Sequence, residues 1–171
     1  MAPLVRRTWA PRGRTPVLTQ RGRSRRKVSV IGALVISPRL ERVRAYFGLL
    51  PEANFDGESI LAFVRQLRRA LRVPLALLWD RLGAHIGEPV APWLARNRRS
   101  VRAHLLPPYA PELNPVELIW GHTKSNPLAN FAPREFEDLV AQTQLATLAI
   151  GDDEPLLRSF LKHCPLSLRL K

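Results

Sequence analysis

The chain has 171 residues, with 27 Lys and Arg against 14 Asp and Glu for a net charge of +13. Its 46% hydrophobic content is that of a globular domain, and no apolar run approaches the roughly 18 residues that a membrane span needs. One cysteine, Cys164, excludes an intramolecular disulfide or a thiol-rich metal site, and with no apolar stretch at the N-terminus a cytoplasmic location is expected.

The charge is uneven. Residues 1–27 hold nine basic residues and no acidic one, so the rest of the chain carries 18 basic against 14 acidic. Rich in proline and glycine, residues 1–27 read as a basic arm or loop in which only Pro16 to Thr19 could pair as extended chain. Such an arm, with no amphipathic anchor beside it, points to nucleic acid rather than membrane as the anionic partner.

Residues 28–171 read as the folded unit. VSVIGALVI, from Val28 to Ile36, is β-branched and nearly continuously apolar, which predicts a strand covered on both faces. A turn at Ser37, Pro38 and Arg39 and a second strand from Arg42 to Leu50 would complete an antiparallel hairpin. Asp56 stands where a helix N-cap belongs, and Ile60, Leu61, Phe63, Val64, Leu67, Ala70 and Leu71 recur at helical spacing. Arg65, Arg68, Arg69 and Arg72 take the other side of that helix, either as a solvated face or as a stripe for DNA. Pro74 opens PLALLWD, an apolar strand ending in Asp80, and ligands gather at the carboxyl ends of strands in α/β sheets.

Glu88 to Asn97 predicts a helix entered at Pro89 and Pro92 with Trp93 and Leu94 inward, and Val101 to Leu106 a short strand. Four prolines from Pro107 to Pro115 stiffen the next segment until a helix begins, with Asn114 as N-cap, Pro115 first and Glu117 third. Pro133 to Ile150 and Asp152 to His163 predict two more helices. The alternation of strands and helices indicates an α/β layered domain.

Asp80 at a strand end and Glu117 on a first helical turn are the carboxylates best placed for chemistry. Mg²⁺ takes oxygen ligands and is usually held by one or two carboxylates with phosphate and water, and two such ions about 4 Å apart can drive phosphoryl transfer. Each acid also has a structural role open to it: Asp80 can begin a turn, and Glu117 can close a capping box on Asn114. His85, five residues after Asp80, can contact phosphate or cap a loop. His104, His122 and His163 lack zinc-ligand spacing. Trp79, Trp93 and Trp120 are expected in the core, and neither a nucleophile motif nor a phosphate-cradling glycine loop is present.

LPPYAPELNPVELIW, Leu106 to Trp120, resembles the signature of the mariner-like DDE transposases, in particular their bacterial insertion-sequence branch. That motif ends in the third catalytic acid, which falls here on Glu117. LLWDRLGAH resembles the family's second acid with its following histidine, on Asp80 and His85, and 36 residues separate the two acids. RRTWAPRGRTPVL, VSVIGALVI and LANFAPREFEDL resemble other parts of these proteins.

The resemblance implies a ribonuclease H-like fold, a mixed sheet flanked by helices. It also implies two Mg²⁺ or Mn²⁺ ions held by three acids, with Asp80 and Glu117 as catalytic metal ligands, and DNA as substrate, both transposon ends and target. His85, Arg81, Lys124, Arg23, Arg25, Arg26 and Lys27 are candidate DNA or phosphate contacts. Arg81 stands where the family commonly has asparagine. The family's first aspartate lies on a first, central strand upstream of the RTWAPRG segment, and this chain has no acid before Glu41.

The expectation is therefore a partial catalytic domain, residues 28–171, that lacks the first strand and is inactive alone. A homodimer, or association with a missing N-terminal half, would follow. The alternatives are a non-catalytic basic DNA-binding remnant and the second half of a split transposase.

Overall fold

Strand β1 (Val28–Ile36) pairs antiparallel with β2 (Val43–Pro51) in the computed structural model, which describes residues 4–18 and 26–166. The connection is longer than a three-residue turn. Ser37 N–H donates to the Arg42 carbonyl at 2.9 Å, and Ser37 Oγ accepts the Glu41 and Arg42 amides, so the loop occupies residues 37–42 and β2 starts one residue later than the pattern predicts.

The chain then forms helix α1 (Gly57–Leu71) and strand β3 (Leu75–Trp79). Two short helices follow, α2 (Gly83–Ile86) and α3 (Val90–Arg96), and then strand β4 (Val101–Leu105). A 3₁₀ turn (Pro111–Leu113) leads into α4 (Pro115–Ser125), α5 (Phe136–Asp152) and α6 (Glu154–His163). α1 opens on a reciprocal cap, with Asp56 Oδ1 accepting the Ser59 amide at 2.9 Å and Ser59 Oγ accepting the Asp56 amide at 2.8 Å. α5 starts at Phe136 rather than Pro133 because Asp138 Oδ2 accepts the Arg134 and Glu135 amides just ahead of it. α2, a single turn, is too short to show a periodicity.

β3 pairs with β4 in parallel, Leu75 opposite Val101 through Trp79 opposite Leu105. The single mixed sheet implied by the resemblance is thus present as two separate two-stranded ladders, because among the described residues no backbone hydrogen bonds bridge β1 and β3. Pro16–Leu18 form no strand, and Thr19 lies outside the described residues.

Two apolar clusters hold these elements. One is built from Val43 of β2, Ile119 of α4, Ile150 of α5 and Leu157, Phe160 and Leu161 of α6, with Leu34 and Ile36 of β1 against it. The other joins Ile60, Leu61 and Val64 of α1, Val90 and Trp93 of α3 and Val101 of β4. Ile31 of β1 and Leu75, Leu77 and Trp79 of β3 rest on that second cluster. β1 is therefore covered on both faces, as its composition predicts, with Leu34 and Ile36 on one cluster and Ile31 on the other. Each fully buried Ile or Leu here contributes about 1.5–3 kcal/mol of hydrophobic free energy.

The first residue of β2's outer edge is capped by α6. Glu154 Oε1 accepts the Val43 amide at 3.2 Å and the Arg158 guanidinium at 2.8 Å, while Arg158 also donates to the Glu41 carbonyl. The side of β1 away from β2 has no strand partner among the described residues.

Gly32 sets how closely α4 approaches this sheet. A Cβ at that position would lie 2.8 Å from Trp120 Cη2 and 3.1 Å from its Cζ2, so only glycine lets the indole lie against β1. Trp120 also meets Phe47 edge to face with ring centres 6.0 Å apart. α4, which carries Glu117, is positioned by that contact and by Ile119, buried to 1% exposure.

Candidate functional site

Asp80 follows β3 directly, where the strand leaves its ladder and the alternating pattern of burial ends. Its carboxylate is half-exposed, and Oδ1 is fixed from two sides, by the Leu82 amide at 3.0 Å and by His85 Nδ1 at 2.7 Å. An ionised carboxylate only accepts, so the proton of the imidazole contact is on Nδ1. The His85 ring stacks on Trp79 with centres 4.7 Å apart and planes 3° from parallel, which fixes the imidazole plane. Residues 79, 80 and 85 thus form one unit, in which α2 returns His85 to the acid that precedes it. Asp80 starts a turn through the Leu82 amide, and its Oδ2 has no hydrogen-bond partner among the described residues.

Arg81 turns away from this acid. Its Nε donates to the Leu106 carbonyl at 3.2 Å, and the Leu106 amide donates to the Trp79 carbonyl at 2.8 Å, so the large cation binds the end of β4 to the end of β3. The proline-rich segment leaves from that point. It is stiff, contains Tyr109 in a left-handed conformation (φ 57°) with its ring fully exposed, and is tied to the end of α6 by Cys164 Sγ donating to the Glu112 carbonyl at 3.4 Å.

At the start of α4, Asn114 Oδ1 caps the Val116 amide at 3.2 Å, as the sequence predicts. The capping box on Glu117 does not form, since the Asn114 amide is taken by the Pro111 carbonyl at 2.9 Å. Glu117 is exposed and its carboxylate has no protein partner among the described residues. Lys124 lies two turns further along α4 and so on the same side of the helix, about 10 Å away along the axis. Gly121, between them, faces open space.

Two points of the basic arm are tied to the rest of the chain. Asn130 clasps Arg6: Arg6 N–H donates to Asn130 Oδ1 at 2.8 Å and Asn130 Nδ2 to the Arg6 carbonyl at 3.0 Å, while the Arg6 guanidinium donates to the Ser125 carbonyl. Arg26 is committed to Glu52 at 2.6 Å and Glu137 at 3.5 Å and lies over the Phe136 ring, and its affinity for its proton is raised chiefly through the Glu52 hydrogen bond. Lys27 donates to Asn54. Arg23 and Arg25 lie outside the described residues.

No hydrogen bond or ion pair joins Asp80 to Glu117, and among the described residues no three His, Cys, Asp or Glu side chains form a metal-holding group. Asp80 and Glu117 are each a hard, partly free carboxylate, the kind of ligand that Mg²⁺ or Mn²⁺ takes from protein, and two acids are one short of the three that the resemblance implies. The sequence missed the Trp79 stack and the Asn130 clasp. The first could have been sought in the aromatic directly before the acid; the second leaves no sequence signal, because its partners are 124 residues apart.

A family model described as DDE superfamily endonuclease matches residues 2–140. No sequence among the curated proteins matches the chain. Among solved structures, the Mos1 mariner paired-end complex with Mn is similar at a TM-score of 0.59 and 19% identity, over 94% of this chain and 48% of that one. The Mos1 transposase paired-end complex with left transposon end gives 0.59 and 17% over 95% and 48%, and the Mos1 strand transfer complex 0.54 and 15% over 95% and 49%. At these identities the likeness is one of fold, and the chain spans about half the length of the proteins it resembles. None of the helices among the described residues is long and apolar enough to cross a membrane.

Proposed function

The chain belongs to the DDE superfamily endonucleases, and from that premise we propose that it is part of the ribonuclease H-like catalytic domain of a bacterial mariner-like transposase, acting on DNA through Asp80 and Glu117. The observation that carries this reading is the pair of environments just described. Asp80 is held at a strand end by His85 and the Leu82 amide with one oxygen to spare, and Glu117 is released from capping duty at the start of a helix. Both are presented by backbone that cannot drift, one by a ladder end and the other by a proline-locked helix start.

A divalent ion bound by these acids would supply activation of an attacking hydroxyl and stabilisation of the leaving oxygen at a phosphodiester. The chain's own part is to orient the ligands. His85 keeps Asp80 Oδ1 occupied so that Oδ2 faces outward, Trp79 keeps His85 in plane, and Trp120 against Gly32 holds α4. Lys124, on the Glu117 side of α4, is placed to meet a DNA phosphate.

The third acid of the set does not come from this chain. Ahead of Asp80 the acids are Glu41, Glu52, Asp56 and Glu58. Glu41 is exposed in the hairpin loop, Glu52 is paired with Arg26, Asp56 caps α1 and Glu58 lies in that helix's first turn. The missing acid arrives on a further strand that fits between β1 and β3, which rest on the same apolar cluster yet among the described residues pair only with β2 and β4. The chain alone is inactive, and its partner is the segment that brings that strand.

Two experiments test this. Mn²⁺ titration of the full chain should show one ion, weakened at least about tenfold by Asp80→Asn and by Glu117→Gln; equal affinity in either variant would overturn the shared site. The second is amide hydrogen exchange. Val43 N–H points to Glu154, so alternation places the Ser29, Ile31, Ala33 and Val35 amides toward β2 and those of Val30, Gly32 and Leu34 toward the open edge. The first group should exchange slowly and the second fast. Slow exchange at Val30, Gly32 and Leu34 in the isolated chain would show the edge already closed.

A further inference from the structure

The arginines Arg65, Arg68, Arg69 and Arg72 recur at i, i+3, i+4 and i+7 on α1, so they line one side of the helix, and all four are exposed. The fold brings a second group to them. Leu75 N–H donates to the Ser100 carbonyl at 2.9 Å and Leu75 pairs with Val101, so the chain leaving Arg72 runs beside the turn that carries Arg98 and Arg99. α3 ends in Arg96 on the same side, and the Arg65 guanidinium lies 5.8 Å from the ring centre of Trp93, one turn earlier.

No acid interrupts this group: residues 59–79 and 89–111 contain none. None of these arginines is ion-paired with a described residue. They converge at the amino-terminal ends of β3 and β4, whereas Asp80 lies at the opposite, carboxyl ends of those strands. So many like charges repel one another in the free protein, and no ion pair among the described residues offsets that cost. An anionic ligand would.

We propose that this arginine cluster is a second phosphate-binding surface, which holds a nucleic-acid duplex at the end of the molecule remote from Asp80 and Glu117. The guanidinium fork suits phosphate oxygens. The cluster is drawn from a helix side, a helix end and a turn, an extended arrangement suited to a backbone rather than to one compact anion. An anionic membrane is the less suitable partner, because Val73 is the one exposed large apolar side chain among these residues. The proposal does not depend on the metal site and is tested without metal.

The full chain is titrated with a fluorescein-labelled random duplex of about 30 bp in EDTA between about 50 and 200 mM KCl, following anisotropy. Replacing Arg69, Arg72, Arg98 and Arg99 together by Gln should make the slope of log affinity against log salt shallower by about 3.6, if each of the four meets one phosphate. Replacement of the same four by Lys should retain most of the slope. All four side chains are exposed, and far-ultraviolet circular dichroism checks that both variants are folded. An unchanged slope in the Gln variant would assign duplex binding to residues 1–27 or elsewhere and overturn the proposal. So would a Gln variant that loses binding to phosphatidylserine vesicles while its DNA slope is intact.

Discussion

The close approach of α4 to β1 gives the sharpest test of how this fold places Glu117. In Gly32→Ala the new methyl would lie 2.8 and 3.1 Å from two atoms of the Trp120 indole and 3.2 Å from Phe47 Cδ1. Both rings are held from behind by the apolar cluster, so neither can simply swing out. Overpacking of this kind costs about 1–3 kcal/mol, and the lower chain entropy of alanine returns about 0.5–1 kcal/mol. The net loss of up to about 2.5 kcal/mol corresponds, for a chain of this size, to a fall in melting temperature of up to about 10 °C.

The cause can be isolated with a second variant. Trp120→Phe removes the outer indole atoms that the methyl strikes, so in a double-mutant cycle Gly32→Ala should cost less when Trp120→Phe is already present, by a coupling of about 0.5–3 kcal/mol. Thermal unfolding by circular dichroism measures all four corners. Gly121→Ala is the internal control: it faces open space on the same helix and should stabilise by close to about 1 kcal/mol. Additive costs in the cycle would refute the claim that the Gly32–Trp120 contact positions α4.

His85→Ala removes the 2.7 Å partner of Asp80 without touching a metal ligand, and should weaken Mn²⁺ binding by about 10- to 100-fold; His85→Asn should restore part of that loss, and an unaffected Mn²⁺ affinity in His85→Ala would show that the imidazole does not orient the acid. Acid stability follows from two carboxyls. Asp56 is held below its ordinary range by the Ser59 hydroxyl and amide, and Glu154 by the Arg158 hydrogen bond and the Val43 amide. A depressed pKa means that the folded state holds its proton less tightly than the unfolded chain does. Their contribution is therefore complete above the usual carboxylate range and is lost as pH falls through the depressed values. Urea midpoints measured from about pH 7 to about pH 2 should fall less steeply in Asp56→Asn with Glu154→Gln than in the parent, and an identical acid limb would refute the assignment.

What the sequence made legible is what short-range physics determines. The apolar run at Val28–Ile36, the Asp56 cap and the Asn114–Pro115 helix start each depend on a few consecutive residues, and each is where the pattern puts it. The candidate acids are legible for the same reason, since a strand end and a helix start are local events. Glu117 shows the limit. From spacing alone a capping box and a free carboxylate are equivalent, and what separates them is the Pro111 carbonyl that takes the Asn114 amide, a consequence of the 3₁₀ turn and not of residue type.

The arm shows the same limit at long range. Its charge reads as a DNA-binding tail, yet Arg26 is committed to Glu52 and Glu137, and Arg6 to Asn130, through contacts that composition cannot reveal. The arginines of α1 read from sequence either as a solvated helix face or as a stripe for DNA, and what spacing does not show is that β3 and β4 bring Arg98 and Arg99 beside them. Net charge alone therefore does not say which of these cations are available to phosphate. A guanidinium with a carboxylate partner is already neutralised, so the residues available to phosphate are those whose neighbours in space, and not only in sequence, are free of acids. By that criterion the arginines at the amino-terminal ends of β3 and β4 form such a surface among the described residues, and Arg26→Gln, at a residue already paired with Glu52 and Glu137, should leave the salt dependence of DNA binding nearly unchanged.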